Sequence, residues 1–357
     1  MKTLLNIFFI LVMLALASCS NQKEELHVYT WSDYIDTSLI EEFETLYNCK
    51  VIIDTFDSNE SMYSKIKSGA SGYDILVPTS YMAKLLYEQN LIIKLDHTKI
   101  PNIKYIDKEY ITRLAFDKKM EYSIPYMLGY TCIAYNKEKL GQIENSWNIF
   151  SKINNKGRMT MLDDYRETIG AGLMYSGHSI NSTKKEELEK AKYIISNWKK
   201  NLAKFDNEVY KIGIASGEFL IVQGYSGDLL QVLAENKNLE IMIPKEGVSI
   251  SCDDMVIPTK APNKELAYKF ISFLMEPKNA AKNMEYNYFF APIPEAKKYV
   301  KNIDLKRIFP QELYKSGQLI KDLGNDNIKY LETWNYIKSK LVIVTYDIYK
   351  TISMYLK

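Results

Sequence analysis

The chain has 357 residues, 46% of them hydrophobic and 25% charged, which is a globular rather than a disordered composition. Its 46 Lys and Arg nearly balance 44 Asp and Glu, and a net charge of +2 without a basic stripe argues against nucleic acid as a partner. Lys-rich spots such as Lys184-Lys185 and Lys199-Lys200 alternate with Glu or fall on solvated helix faces.

Residues 1–19 read as a leader outside the fold. Lys2 supplies a positive start, residues 4–16 a largely apolar core, and Ala17-Ser18 small side chains before Cys19. That core is shorter than the roughly 20 apolar residues a bilayer span needs. Leu16-Ala17-Ser18-Cys19 resembles the lipobox of bacterial lipoproteins, which implies cleavage, an acylated Cys19 and export with attachment to a membrane through lipid. Residues 20–25 are polar and charged and read as a tether. The roughly 338 residues after Cys19 suggest two domains. Cys49, Cys132 and Cys252 form an odd, widely spaced set, so no disulfide framework is expected. His27, His97 and His178 are far apart and give no local support for a metal; no cofactor is expected.

In chain order, a strand is expected over 27–30 and a helix over 38–47, capped within 36–38 and striped by Leu39, Ile40, Phe43, Leu46 and Tyr47. A strand follows over 51–56. A helix over 58–68 starts at Asp57 or Ser58 and stops at Gly69. A short apolar strand over 74–78 and a helix over 80–89 complete three βα units, which predict a largely parallel sheet. Residues 122–135 read as one extended run crossing between domains. The second domain then shows a strand over 158–162 and helices over 166–175 and 184–200. A strand over 219–225, a helix over 227–235 and a strand over 239–244 follow. A strand beginning at Asp254 returns the chain to the first domain, where a helix over 263–275 stops near Pro277. The region beyond 300 is expected to be mainly helical. The resulting class is α/β: two hinged lobes, 26–125 with 254–300 and 126–253 with 301–357, and a ligand cleft between them.

The acidic residues fall just after strands. Asp33 follows the first, Asp163, Asp164 and Glu167 the strand ending at Leu162, Asp228 the one ending at Tyr225, and Asp253 a run through Cys252. In open α/β sheets such strand ends converge on one crevice. Carboxylates gathered without basic neighbours repel one another unless a cation joins them. Trp31 and Tyr34 beside Asp33 add ring faces, so the pattern fits an organic cation carrying several amines.

The chain resembles the polyamine-binding receptors of ABC importers, the PotD and PotF type, from about Leu26 onward. The likeness is clearest in the segments 29–35, 56–63, 73–81, 122–126 and 244–247 with Asp253 after it. The resemblance implies a two-lobe periplasmic-binding-protein-like fold of type II. It makes Trp31 and Tyr34 walls of a ligand box, with Ser32 and Asp33 at one amine, and Thr79, Ser80 and Tyr81 a hydroxyl-bearing ligand loop. Glu167, Asp164, Asp228 and Asp253 become carboxylates for amino groups, and Tyr225 and Phe289 stand where the family usually has Trp and Tyr. Ser251 replaces a stacking Trp of the spermidine type, and the family's C-terminal contact falls near Asn335 or Tyr336. The implied partners are a polyamine, putrescine or spermidine, and a permease in the inner membrane. The implied site is the periplasm or cell exterior, with the receptor monomeric and performing no chemistry. Two alternatives stand beside this: a receptor of the same architecture for a sugar, iron or an amino acid, and a hydrolase. For the latter, Gly224-Tyr225-Ser226-Gly227 half resembles a nucleophile elbow, but Asp228 stands where its last Gly belongs.

Overall fold

The computed structural model describes residues 23–113, 116–310, 312–313 and 317–339. The leader and Cys19 lie outside the described residues.

The first elements are β1 (Glu24–Thr30), α1 (Thr37–Tyr47), β2 (Cys49–Thr55), α2 (Asn59–Lys67), β3 (Ile75–Leu76) and α3 (Ser80–Glu88). The strands form a parallel sheet in the order β2-β1-β3, as the βα units imply. Local chemistry sets the helix ends. Asp36 caps α1 by accepting from the Ser38 N–H at 2.8 Å, and Asn48 closes it with φ 48°, a left-handed conformation Asn tolerates. Ser58 caps α2. One face of this sheet buries Tyr29, Phe56, Met62, Leu76 and Leu86 against α2 and α3. On the other, Phe43 of α1 stacks edge-on to Phe270, with ring centroids 4.8 Å apart. Burying each such side chain contributes roughly 1.5–3 kcal/mol.

Then come α4 (Lys108–Arg113), β4 (Ile124–Asn136), α5 (Lys137–Leu140), β5 (Met159–Met161), α6 (Tyr165–Tyr175), α7 (Lys185–Lys199), β6 (Lys204–Phe205), α8 (Tyr210–Ser216) and β7 (Ile221–Tyr225). They are followed by α9 (Ser226–Glu235), β8 (Leu239–Met242), β9 (Ser249–Met255), α10 (Lys264–Leu274), α11 (Pro277–Asn287), α12 (Leu305–Ile308), β10 (Gln318–Leu319) and α13 (Asn327–Ser339). A second sheet runs β10-β9-β4-β7-β5-β6, with β8 also on β4. The long run over 122–135 is indeed one strand, β4, and it is buried almost throughout. Its first half pairs with β9 and its second with β7 and β8. At its end β9 reaches the first sheet through the bridges Thr79↔Asp253 and Leu76↔Val256. The antiparallel pair β4–β9 therefore ties the two α/β halves together.

Two expectations are corrected. β1 already starts at Glu24, so Glu24 and Glu25, paired with Cys49 and Lys50 of β2, belong to the sheet and not to a tether over 20–25. β9 begins at Ser249, not at Asp254. Its residues Ile250 and Cys252 are buried, but Ser251 and Asp253 on the opposite face make the sequence look like a loop. The helix expected over 263–275 does stop before Pro277, and Pro277 in turn opens α11 at a first-turn position where a missing N–H is harmless. The described residues past 300 are mainly helical, as expected, with α12, a short 3-10 turn over Gly324–Asp326 and α13, and β10 lies between α12 and that turn. In addition, β6 and α8 have no counterpart in the expected elements.

Candidate functional site

A cavity of about 360 Å³ lies between the two halves. β1 delivers its first wall. Just past Thr30 the chain turns at Asp33, whose φ of 53° is left-handed, and sets Trp31, Ser32, Asp33 and Tyr34 along the cavity. Non-Gly residues adopt that conformation rarely, and Asp is among those that tolerate it. Thr79 and Tyr81 enter from the start of α3, Asp164 and Glu167 from the start of α6, Tyr225 and Asp228 from the β7–α9 junction, and Asp253 and Ser251 from β9. Phe289 follows α11 and packs edge-on to Tyr34, with centroids 5.3 Å apart.

All the expected residues but Ser80 line this cavity. Ser80 is buried beneath it, its Oγ 2.8 Å from Asp254 Oδ1 and 3.1 Å from the Cys252 carbonyl. The first residue of α3 faces β9 rather than the cleft, so Ser80 is removed from the ligand-contact set. Asn335 and Tyr336 sit on α13 and do not line it either.

The carboxylates differ in what they already hold. Asp253 takes the Tyr34 hydroxyl on Oδ2. Its Oδ1 is buried with no hydrogen-bond partner among the described residues, as are the Trp31 indole N–H and the Thr79 hydroxyl. Burial, eased by the Tyr34 hydroxyl, reinforced by Asp254 and eased again by the Trp31 indole that faces the carboxylate, pushes Asp253 up to about 7. Asp164 caps α6, its Oδ1 accepting from the N–H groups of Arg166 at 2.8 Å and Glu167 at 3.1 Å, while its Oδ2 accepts from the Tyr225 hydroxyl at 3.2 Å. Glu167 accepts from Ser249, and burial followed by repulsion from Asp164 raises it to about 7. Asp228 accepts from the Tyr210 hydroxyl at 2.6 Å and is raised by burial.

Several lining residues were not singled out from the sequence. Asp57 and Asn59 belong to the 56–63 segment that carried the resemblance, so the signal was there. Asn59 positions the α3 loop, donating to the Tyr81 hydroxyl at 3.2 Å and accepting from the Thr79 N–H at 3.2 Å. Arg166, Asn207, Glu208, Ile212 and Ile320 also line the cavity. Arg166 is buried and bonded to the Lys321 carbonyl and Asn181, each at 2.9 Å, which holds it against the wall rather than in the opening. Lys211 is the least foreseeable: it reaches Asp33 Oδ2 at 3.3 Å and Asp228 Oδ1 at 3.7 Å. Altogether Asp33, Asp57, Asp164, Glu167, Glu208, Asp228 and Asp253 face only Arg166 and Lys211 among basic lining residues. Such an enclosure, acidic and walled by Trp31, Tyr34, Phe56, Tyr81, Tyr225 and Phe289, suits a cationic ligand with an apolar middle.

A model of the bacterial extracellular solute-binding protein family matches residues 38–307. The putrescine-binding periplasmic protein SpuD of Pseudomonas aeruginosa is 34% identical over 295 residues, spanning 77% of this chain and 80% of that protein. The solved structure of the TpPotD lipoprotein of Treponema pallidum superposes with a TM-score of 0.81 at 34% identity, covering 88% of this chain and 99% of that one. The spermidine/putrescine ABC transporter substrate-binding protein PotD of Streptococcus pneumoniae gives a TM-score of 0.75 at 31% identity, with 88% and 99% covered.

Proposed function

Since the chain belongs to the bacterial extracellular solute-binding protein family and has its two-lobe type II fold, we propose that it captures polyamines between its lobes for an ABC importer. The observation that carries this reading is the unsatisfied pair inside the cavity. Asp253 Oδ1 and the Trp31 indole N–H that faces this carboxylate are buried and close no hydrogen bond of good geometry, in an enclosure with a large excess of carboxylates. An acceptor left unmade in this way costs about 1–3 kcal/mol, which a donor from the ligand would recover. An alkyl ammonium, protonated at neutral pH, donates up to three hydrogens and fits that acceptor.

In this reading one amine sits at Asp253 against Trp31 and Tyr34, with Thr79 as a further hydroxyl. The other sits at Asp164 and Glu167 beside Tyr225. Tyr81, Phe56 and Phe289 cover the methylenes. The lobes hinge where β4 and β9 cross, near residues 125–126 and 253–254, and closure removes water from both ends. Cys19 carries the lipid a few residues ahead of β1, which starts at Glu24, and the monomeric receptor hands its ligand to a permease without chemical turnover. The names of the relatives, SpuD for putrescine and TpPotD for a lipoprotein, support this.

A thermal-shift panel of putrescine, cadaverine, spermidine and spermine, with sugars, amino acids and ferric ion as controls, tests it. A ligand at a hundred times its dissociation constant raises stability by about 2.7 kcal/mol. No shift with any polyamine, or a larger one with a control, removes the reading.

A further inference from the structure

Lys211 comes from α8, a helix absent from the expected elements, and no resemblance assigned it a role. It follows Tyr210 directly, and both point at the same carboxylate: the Tyr210 hydroxyl donates to Asp228 Oδ2 at 2.6 Å, and Lys211 Nζ lies 3.7 Å from Oδ1. The same Nζ reaches across the cleft to Asp33 Oδ2 at 3.3 Å. The side chains of Lys211 and Asp228 are only 21% and 16% exposed, whereas that of Asp33 is 60% exposed, so the ammonium is held on the second lobe and meets Asp33 at the rim. Asp33 itself is presented by the left-handed turn after β1. Both oxygens of Asp228 therefore face donors of the protein's own, while Asp253 closes a hydrogen bond through one oxygen alone.

We propose that Lys211 is a resident ammonium filling the Asp33–Asp228 position, so that the cleft takes the amines of a diamine at Asp253 and at Asp164–Glu167 and rejects a third amine from the outer pair. A nitrogen entering that pair meets a like charge within a few ångströms and must displace it before gaining either carboxylate. Lys211 thus sets ligand length by occupying charge rather than space. This inference rests on the polyamine reading.

Calorimetry with putrescine and spermidine on the wild-type protein, Lys211→Met and Lys211→Arg tests it. Lys211→Met removes the charge at similar length and is expected to raise the spermidine-to-putrescine affinity ratio at least tenfold, while Lys211→Arg stays within threefold of wild type. A smaller change in Lys211→Met overturns the proposal. Should the wild-type protein bind neither amine, the polyamine reading fails by itself, and the ligand-free protein decides the matter of Lys211. Its side-chain ammonium resonance in NMR, assigned by its loss in Lys211→Met, is expected to move in Asp228→Asn. A resonance unmoved by that substitution overturns the resident ammonium.

Discussion

The two ends of the cleft carry similar carboxylates in opposite states. At the Asp228 end every oxygen is met from within the protein, by Tyr210 and by Lys211. At the Asp253 end one oxygen is met, by Tyr34, and the other is buried facing the Trp31 indole without closing a hydrogen bond of good geometry. The same contrast exists between neighbours on one strand. Asp254 points away from the cleft and takes hydroxyls from Ser80 and Ser123, each at 2.8 Å, while Asp253 faces the cavity half-satisfied. An acid in a cavity is therefore no guide to a ligand contact; the count of its unmet lone pairs is.

The largest effect that would break this comparison is at the open end. Asp253→Asn is expected to weaken polyamine binding by about 2–5 kcal/mol, as for truncating a desolvated charge pair, and calorimetry reads it directly. An unchanged dissociation constant would put the ligand elsewhere. On the opposite face of the strand, Ser80→Ala should lower stability by about 1–3 kcal/mol because it strips a donor from buried Asp254. Denaturant unfolding measures that loss, and the dissociation constant should stay put; a large change in affinity would return Ser80 to the site.

Acidity sharpens the contrast further. Asp253 and Glu167 are held up to about 7, so in the free protein they bind protons through the range where an unfolded Asp or Glu, at about 4, has lost them. The native state then holds more protons than the unfolded one between about pH 4 and 7, and by linkage ligand-free stability falls as pH rises across that window. A bound ammonium favours the ionised forms, so affinity moves the other way. It should rise as pH climbs toward 7, by up to about tenfold per pH unit for each proton released, and level off above it. Calorimetry in buffers of different ionisation enthalpy counts those protons; none released would mean the amine does not sit on these groups. The smallest expected effect is at the satisfied end. Asp228→Asn leaves the Tyr210 hydroxyl a partner and should change putrescine binding by less than about 1 kcal/mol, within the range of a partly exposed ion pair.

Much of this molecule was readable in the residues. The βα alternation up to residue 89, the single long crossing strand and the placement of acids after strands follow from periodicity and caps, which are local. What was missed is where local signals are silent or ambiguous. Pro277 reads equally as a stop or a first-turn start, and β9 hides its buried alternation behind Ser and Asp. Ser80 sits between two cavity residues, and only the turn of α3 sends it inward. Lys211 lies on a seven-residue helix without a side-chain cap, and the partner of a long flexible cation is settled by tertiary packing that no spacing encodes.

Phe289 closes the cavity in a slot that owes its shape to missing atoms. A methyl group built on Gly129 would come 2.8 Å from its ring, and one on Gly227 would come 2.3 Å from it. Real side-chain carbons do not approach so closely, so even alanine at either place must displace the ring from its slot. The bore of the receptor is thus written on β4 and α9 by two residues without side chains, one of which does not line the cavity at all. Resizing the site for a bulkier amine calls for trimming Phe289 itself, since neither glycine leaves any slack to give.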